Sequence, residues 1–290
     1  GDFQYHTDSE EDGEDELKER RINRRPQELS DGVIFFGQWS KKGCRDGRGT
    51  QIWRDGSKYV GNWKNDQANG RGRLIDAEGN CYEGQWFNDK AHGSGTYHNC
   101  DGTRYDGEWA DDKQNGHGIE RWANGSVFEG KFENGKKNGP GKFNWHDGTS
   151  YEGNFTNNVI EGQGKYKWVD GRWYEGEWRA NQMDGRGTFS WPDGRTYIGE
   201  YVQDKKKGYG EYRWPDGKCY KGEWSNGKMH GKGTLINQLG TEKFGEFKEG
   251  RVTKWIGASK TRISPPEWMT AAIRLDYYYG VSILGFWGFG

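Results

Sequence analysis

Aliphatic residues are what this chain most lacks. Hydrophobic residues make up 30% of its 290 positions, and aromatics alone account for 16%. More than half of the apolar side chains are therefore Trp, Tyr or Phe. Leu, Ile and Val are too few for the thick two-layer core of an ordinary domain. Long apolar runs are missing as well. The longest covers residues 281–289, well short of the ~20 residues that cross a bilayer as a helix. The opening stretch is acidic and has no signal-peptide pattern.

Cysteine is scarce, at four residues, and shows no zinc-ligand spacing. In the repeat register described below, Cys81 and Cys219 stand six repeats apart. That is roughly 55 Å on the usual strand spacing, whereas a disulfide needs Cα atoms within ~7 Å. Cys44 and Cys100 are more than two repeats apart. Free thiols and a reducing compartment are the expectation.

A strong charge of one sign is absent too. The net charge is −1. Residues 1–16 hold eight acids and no Lys or Arg, which leaves 43 basic against 36 acidic residues elsewhere. Spread over a large surface, that excess is too diffuse for a nucleic-acid face, so no nucleic-acid partner is expected.

Catalytic constellations are missing from the spacings. Gly-x-Gly occurs throughout but leads into strands, whereas a dinucleotide fingerprint leads into a helix. His92 and His230 occupy equivalent loop positions and read as surface residues. Glu175 and Glu177 flank a glycine and read as a solvated face. No catalytic residue, metal ligand or cofactor is expected, and the chain reads as a non-enzyme.

What the chain does have is glycine, at 49 residues, with 16 Trp and 16 Tyr. Disordered segments are poor in aromatics, so this composition describes a folded object with a thin, glycine-spaced aromatic core. The period is 23. Aromatics fall at Tyr59, Tyr82, Tyr105, Phe128, Tyr151, Tyr174, Tyr197 and Tyr220. Two residues after each stands a glycine: Gly61, Gly84, Gly107, Gly130, Gly153, Gly176, Gly199 and Gly222. Two further on is another ring: Trp63, Trp86, Trp109, Phe132, Phe155, Trp178, Tyr201 and Trp224. A weaker copy opens the array at Phe35, Gly37 and Trp39, and a degraded one closes it at Lys243, Gly245 and Phe247. Gly-x-Gly recurs in step nine times, from Gly47/Gly49 to Gly231/Gly233.

Residues two apart share one face of a strand. Gly185, Gly187 and Phe189 therefore lie on one side, as do Tyr197, Gly199 and Tyr201. Between them, Trp191-Pro192-Asp193-Gly194 has the residue order of a tight hairpin turn. A glycine beside the rings leaves a hole for the ring of a neighbouring repeat. One hairpin is marginal in water, so the array is the folding unit.

The Tyr-x-Gly-x-Trp pattern, with Gly-x-Gly and Asp-Gly turns, resembles the MORN repeat family over roughly residues 33–250. The periodicity predicts an all-β fold. It is an elongated single-layer antiparallel sheet of about 9–10 stacked 23-residue hairpins, a rod on the order of 90 Å long. The resemblance implies a scaffolding or tethering role.

Three regions follow: an acidic then basic arm over 1–32, the array over 33–250 and a tail over 251–290. The arm reads as solvated and disordered, or as an interaction arm. In the tail, Ser264, Pro265 and Pro266 suit a helix start, followed by an apolar stripe including Trp268 and Met269. It reads as a cap over the last sheet edge or as a partner-binding tail.

One feature points to binding. Before the turn, Trp122, Trp145, Trp168, Trp191 and Trp214 form an unbroken ladder, which Asp76 and Asn99 break in earlier copies. Residues 116–224 are the expected docking surface for a partner helix or a second copy of the chain, with Trp268 as a further contact. The alternative is that these rings simply pack on neighbouring repeats.

The layout is similar to MORN subunits of ciliary radial spoke heads and of protist cytoskeletal structures. That resemblance implies a structural subunit of a large assembly, in the cytoplasm, cytoskeleton or ciliary axoneme. A phospholipid-binding membrane tether and the regulatory region of a larger enzyme are the competing implications, with homodimerisation and weak phospholipid contact left open.

Overall fold

The computed structural model describes residues 21–257 and Met269. Among them the regular structure is 21 strands of one antiparallel sheet. The chain divides into two compact units, residues 1–100 with 109–112, and residues 101–108 with 113–290.

The first unit contains β1 (Ile22–Glu28), β2 (Ile34–Trp39), β3 (Arg45–Ile52), β4 (Lys58–Lys64), β5 (Gln67–Ile75), β6 (Cys81–Phe87) and β7 (Lys90–His98). Each pairs with the next. Strand β8 (Arg104–Ala110) contributes residues to both units. The second unit continues with β9 (Lys113–Arg121), β10 (Val127–Glu133), β11 (Lys136–Asn144), β12 (Ser150–Thr156), β13 (Val159–Lys167) and β14 (Trp173–Arg179). Then come β15 (Gln182–Ser190), β16 (Thr196–Val202), β17 (Lys205–Arg213), β18 (Cys219–Ser225), β19 (Lys228–Ile236), β20 (Glu242–Lys248) and β21 (Arg251–Trp255). From β9 onward every strand again pairs with its successor.

Alternation decides the faces. In β14, Tyr174, Gly176 and Trp178 are buried while Trp173, Glu175 and Glu177 are half-buried on the other side. The glycines pair in register, Gly49 with Gly61, Gly61 with Gly72 and Gly72 with Gly84. They make a row with one glycine per strand. The tyrosine ring of the same hairpin lies across this row. A Cβ on Gly61 would meet the Tyr59 ring, and one on Gly72 would meet the same ring from the opposite strand. The hole is therefore filled from within the hairpin, not by the ring of a neighbouring repeat.

Two kinds of turn alternate. After odd-numbered strands the turn is the one legible in sequence. Gly194 donates to the Trp191 carbonyl (3.0 Å), and Trp191 donates to Arg195 O (3.0 Å). After even-numbered strands from β4 onward the turn has two residues, as at Asn65 and Asp66 with φ of 48° and 69°, whereas five residues separate β2 from β3. Lys64 pairs with Gln67 across it, the left-handed pair that matches the twist of a hairpin. Asn and Asp adopt this region at low cost.

A bulge precedes each two-residue turn, as between Gly61 and Trp63. It takes a carbonyl out of the ladder, and the tyrosine hydroxyl supplies the donor. Tyr59 Oη donates to Asn62 O (3.1 Å), Tyr174 Oη to Glu177 O (3.0 Å) and Tyr220 Oη to Glu223 O (2.9 Å).

The sheet takes in one strand on each side of the array limits drawn from sequence. Strand β1 lies within the 1–32 arm and is exposed along its whole length. It has no apolar alternation to signal it. Backbone pairing with β2 holds it, together with an Arg21–Asp46 ion pair (2.7 Å) and Arg24 over the Trp39 ring (4.9 Å). Strand β21 extends past residue 250 and pairs with β20. The acidic part of the arm and most of the tail, including Trp268, lie outside the described residues. Met269 is helical and 1% exposed.

Candidate interaction face

In the second unit the aromatic face carries a continuous row of nine rings. Trp122 stacks on Phe143 at 5.1 Å between centroids, and Phe143 on Trp145 at 4.4 Å. The row continues to Tyr166 (5.4 Å), Trp168 (4.6 Å) and Phe189 (5.3 Å). It ends through Trp191 (4.3 Å), Tyr212 (5.8 Å) and Trp214 (4.7 Å). The five ladder tryptophans are all half-buried. Trp145, Trp168 and Trp191 each pack on a ring of their own repeat and one of the next. Trp122 meets Phe143 and Trp214 meets Tyr212, and all five stay partly accessible. Each such contact contributes ~0.5–1.5 kcal/mol beyond area burial.

Sequence reading placed the five tryptophans but missed the interleaved Phe143, Tyr166, Phe189 and Tyr212. The signal was present, since each stands two residues before a ladder tryptophan, on the same face. Arginines lie over two of the rings. Arg172 is 5.3 Å from the Trp168 centroid and Arg195 is 5.4 Å from that of Trp191. Asp170 and Asp193 hold them at 2.7 Å. The Arg195 hydrogen bond keeps the exposed Asp193 carboxyl below its usual range.

Behind the row lie the fully buried repeat rings. Phe128, Tyr151, Tyr174, Tyr197 and Tyr220 are each 0% exposed. They meet their Phe, Trp or Tyr partners edge-on, as Tyr174 meets Trp178 at 5.1 Å and Tyr201 at 5.3 Å. In the first unit, Phe35, Tyr59 and Tyr82 build the same lattice with Trp39, Trp63 and Trp86. Burial raises the tyrosine pKa values well above the ordinary one at Tyr82, Tyr151, Tyr174 and Tyr197. These hydroxyls are donors and nothing more.

One further repeat position opens on this face, just after the turn that follows each even-numbered strand from β2 to β18. It is held by Arg45, Ala68, Ala91, Gln114, Lys137, Ile160, Met183, Lys206 and Met229. Arg45 lies 4.2 Å from the Trp63 centroid and pairs with Asp66 at 3.2 Å. Lys137 Nζ lies 4.9 Å from Trp122 and 5.0 Å from Phe128, and pairs with Glu120 at 2.6 Å. Lys206 Nζ sits among four rings: Tyr212 at 4.7 Å, Trp191 at 4.9 Å, Tyr197 at 5.0 Å and Trp224 at 5.2 Å. Burial first, and Arg195 second, bring its pKa down to about 8.

The opposite face is polar and cross-linked by charge. Lys165 pairs with Glu175 at 2.7 Å, and the Glu175 side chain is only 11% exposed. This carboxylate, expected on a solvated face, is therefore covered. Glu177 does face outward and accepts from the Arg186 amide (3.1 Å). Glu211 is 1% exposed between Arg213 (2.5 Å) and Lys221 (3.2 Å). Next to it, burial pushes the Cys219 thiol up to about 12. All four cysteines are free. His92 is exposed as expected, whereas His230 is half-buried with Nδ1 unpartnered among the described residues. Among those residues no group of three or more His, Cys, Asp or Glu is placed to hold a metal ion. No described helix is long and apolar enough to cross a membrane.

Hairpins repeated at a 23-residue interval, each with paired glycines beneath an aromatic face, define a hairpin-repeat protein. The MORN repeat profile matches residues 35–58, 59–81, 82–104, 105–127, 128–150, 151–171, 174–194, 197–219 and 220–237. The chain belongs to the MORN repeat family. Such arrays are interaction proteins for protein or membrane partners, and the family is generally non-catalytic.

No curated protein is similar enough to count as a match. Among solved structures, the TCP domain of Drosophila melanogaster SAS-4 (dCPAP), in complex with a proline-rich motif of Ana2 (dSTIL), is 12% identical. The likeness covers 63% of this chain and 98% of that one with a TM-score of 0.36. The wild-type TCP10 domain of Danio rerio CPAP is also 12% identical, over 82% of this chain and 100% of that one, with a TM-score of 0.35. TM-scores this low carry no argument about fold or function.

Proposed function

We propose that this chain is a non-catalytic scaffold that organises a protein assembly by docking an apolar partner segment on the aromatic face between residues 122 and 214. The observation that supports this most is the nine-ring row, seven of whose rings are only half-buried, on one side of a sheet with no second layer among the described residues. Trp and Tyr offer large contact area at low entropic cost and dominate binding hot spots. The likeness in layout to spoke-head and cytoskeletal MORN subunits supports a setting in the ciliary axoneme or cytoskeleton.

The double variant Trp168→Ala with Trp191→Ala tests the docking. It should stay folded by circular dichroism and lose the partners that co-purify with the native chain. An unchanged set of partners would sink the reading. Proximity labelling of the endogenous protein tests the setting, with axonemal or cytoskeletal neighbours expected.

A membrane tether is the second reading. It draws on Lys206, Arg172 and Arg195 standing among half-buried and buried aromatics on one face, a combination of basic and aromatic groups suited to anionic headgroups. Flotation on anionic vesicles, lost at high salt, would put it first.

A further inference from the structure

Lys206 is at odds with its surroundings. Six of the nine repeats place Ala, Gln, Ile or Met at its position, so the fold does not require a cation there. Both other cations at this position have a carboxylate, Asp66 for Arg45 (3.2 Å) and Glu120 for Lys137 (2.6 Å). Lys206 has none among the described residues. The reason lies in the register, because the residue three repeats after Glu120 is Phe189. Where Lys137 has the Glu120 carboxylate, the corresponding position beside Lys206 carries no acid.

We infer that the partner docked on this face presents an Asp or Glu side chain to Lys206, and that this carboxylate fixes the partner's position along the ring row. The inference rests on the docking reading above. An ammonium held over ring faces is attracted by their quadrupoles but has given up much of its water. Burial has already lowered its pKa to about 8. An incoming carboxylate replaces the missing water with a charge-assisted hydrogen bond, the strong kind in a partly dry site. The Lys137–Glu120 pair (2.6 Å) shows that a lysine at this repeat position, also held near rings, takes a carboxylate partner within this chain. A lipid phosphate is a poorer fit, because membrane recognition takes clusters of about 4–8 basic residues and Asp193 and Asp170 already neutralise the nearest arginines.

The test uses the full chain and a displayed library of random peptides long enough to span two repeats. Selection is run on the native protein and on Lys206→Met. Met183 and Met229 occupy the equivalent position, so this variant is expected to fold. Peptides selected on the native chain should carry an acid at a fixed distance from their apolar anchors. They should bind Lys206→Met about ten- to a hundredfold more weakly.

Peptides that bind both proteins equally, without an acid, but fail on the Trp168→Ala, Trp191→Ala variant would overturn the inference and leave the docking reading standing. Peptides indifferent to the tryptophan variant, or no enrichment at all, would overturn both. Phosphatidylserine vesicles that bind the native chain and not Lys206→Met would assign the lysine to a membrane and overturn the peptide carboxylate.

Discussion

A tyrosine in this chain differs from a phenylalanine by one donor, and the bulge beside it makes that donor count. Tyr174 Oη satisfies Glu177 O, which the bulge between Gly176 and Trp178 takes out of the ladder. Tyr174→Phe should lower unfolding free energy by about 1 kcal/mol. Phe128 stands at the same position beside its own bulge and brings no hydroxyl, so Phe128→Tyr should raise stability by a similar amount. Urea unfolding of both variants checks the pair, and equal effects of one sign would refute the account. Lys206 gives a pH signature. Its folded pKa of about 8 lies below the ordinary 10.5, through burial and then the neighbouring Arg195. Between those values the unfolded chain binds a proton that the folded chain does not, so stability should rise with pH across that window. Below pH 8 the full penalty applies. The buried tyrosines act oppositely. Their folded pKa values are raised, so the stability they contribute is intact below pH ~10 and is lost above it. Denaturation at a series of pH values should show a rise and then a fall in the native chain. In Lys206→Met only the fall should remain, with higher stability at neutral pH.

Each hairpin is locked to the one before it by its two-residue turn. Asp204 N donates to Met183 O (3.0 Å), and Asp204 Oδ1 accepts from Met183 N (2.8 Å). Asp66, Asp89, Asp112, Asn158 and Asn181 do the same for residues 21 positions earlier. Gly135, Gly227 and Gly250 keep only the backbone arm. Asp204→Gly should therefore cost about 1 kcal/mol. Asp204→Ala should cost more, because φ at this position is 65° and a Cβ strains there. Amide exchange gives an independent check, with Gln114, Lys206 and Met229 expected to exchange faster than Ala68 and Ala91. These elements also show how far the sequence could be read. Strands β2 to β20 follow from residues two apart and from Asp-Gly turns, which are local signals. The left-handed turns repeat as Asn65-Asp66, Asn88-Asp89 and Asn157-Asn158, yet without glycine they resemble solvated loop. Strand β1 was illegible because backbone pairing and arginines hold it, not alternation. The tryptophan ladder was legible, but the cage around Lys206 was not. The bulge sets two residues opposite one and so decides which rings meet the lysine, and no spacing within a single strand records that shift.

Within each unit, strands β1 to β7 and β9 to β21 make their extensive contacts with the strands just before and after them in sequence. Stability is then close to a sum over repeats and their junctions. Deleting residues 162–184 from the second unit joins Glu161 to Gly185 and preserves the register. The shortened chain should keep its circular dichroism per residue and melt somewhat earlier, and loss of the β signal would refute nearest-neighbour stacking. The same locality has a mechanical side. A chain in which hairpins are bound only to adjacent hairpins need not rupture all at once when pulled from its ends. It can open from a terminus, one repeat at a time, and each 23-residue repeat releases about 80 Å of chain at full extension. Force spectroscopy on the second unit should record a train of steps of that size, and one large rupture would contradict it. Anchored between two moving structures, such a molecule gives up length in increments and limits the tension it passes on.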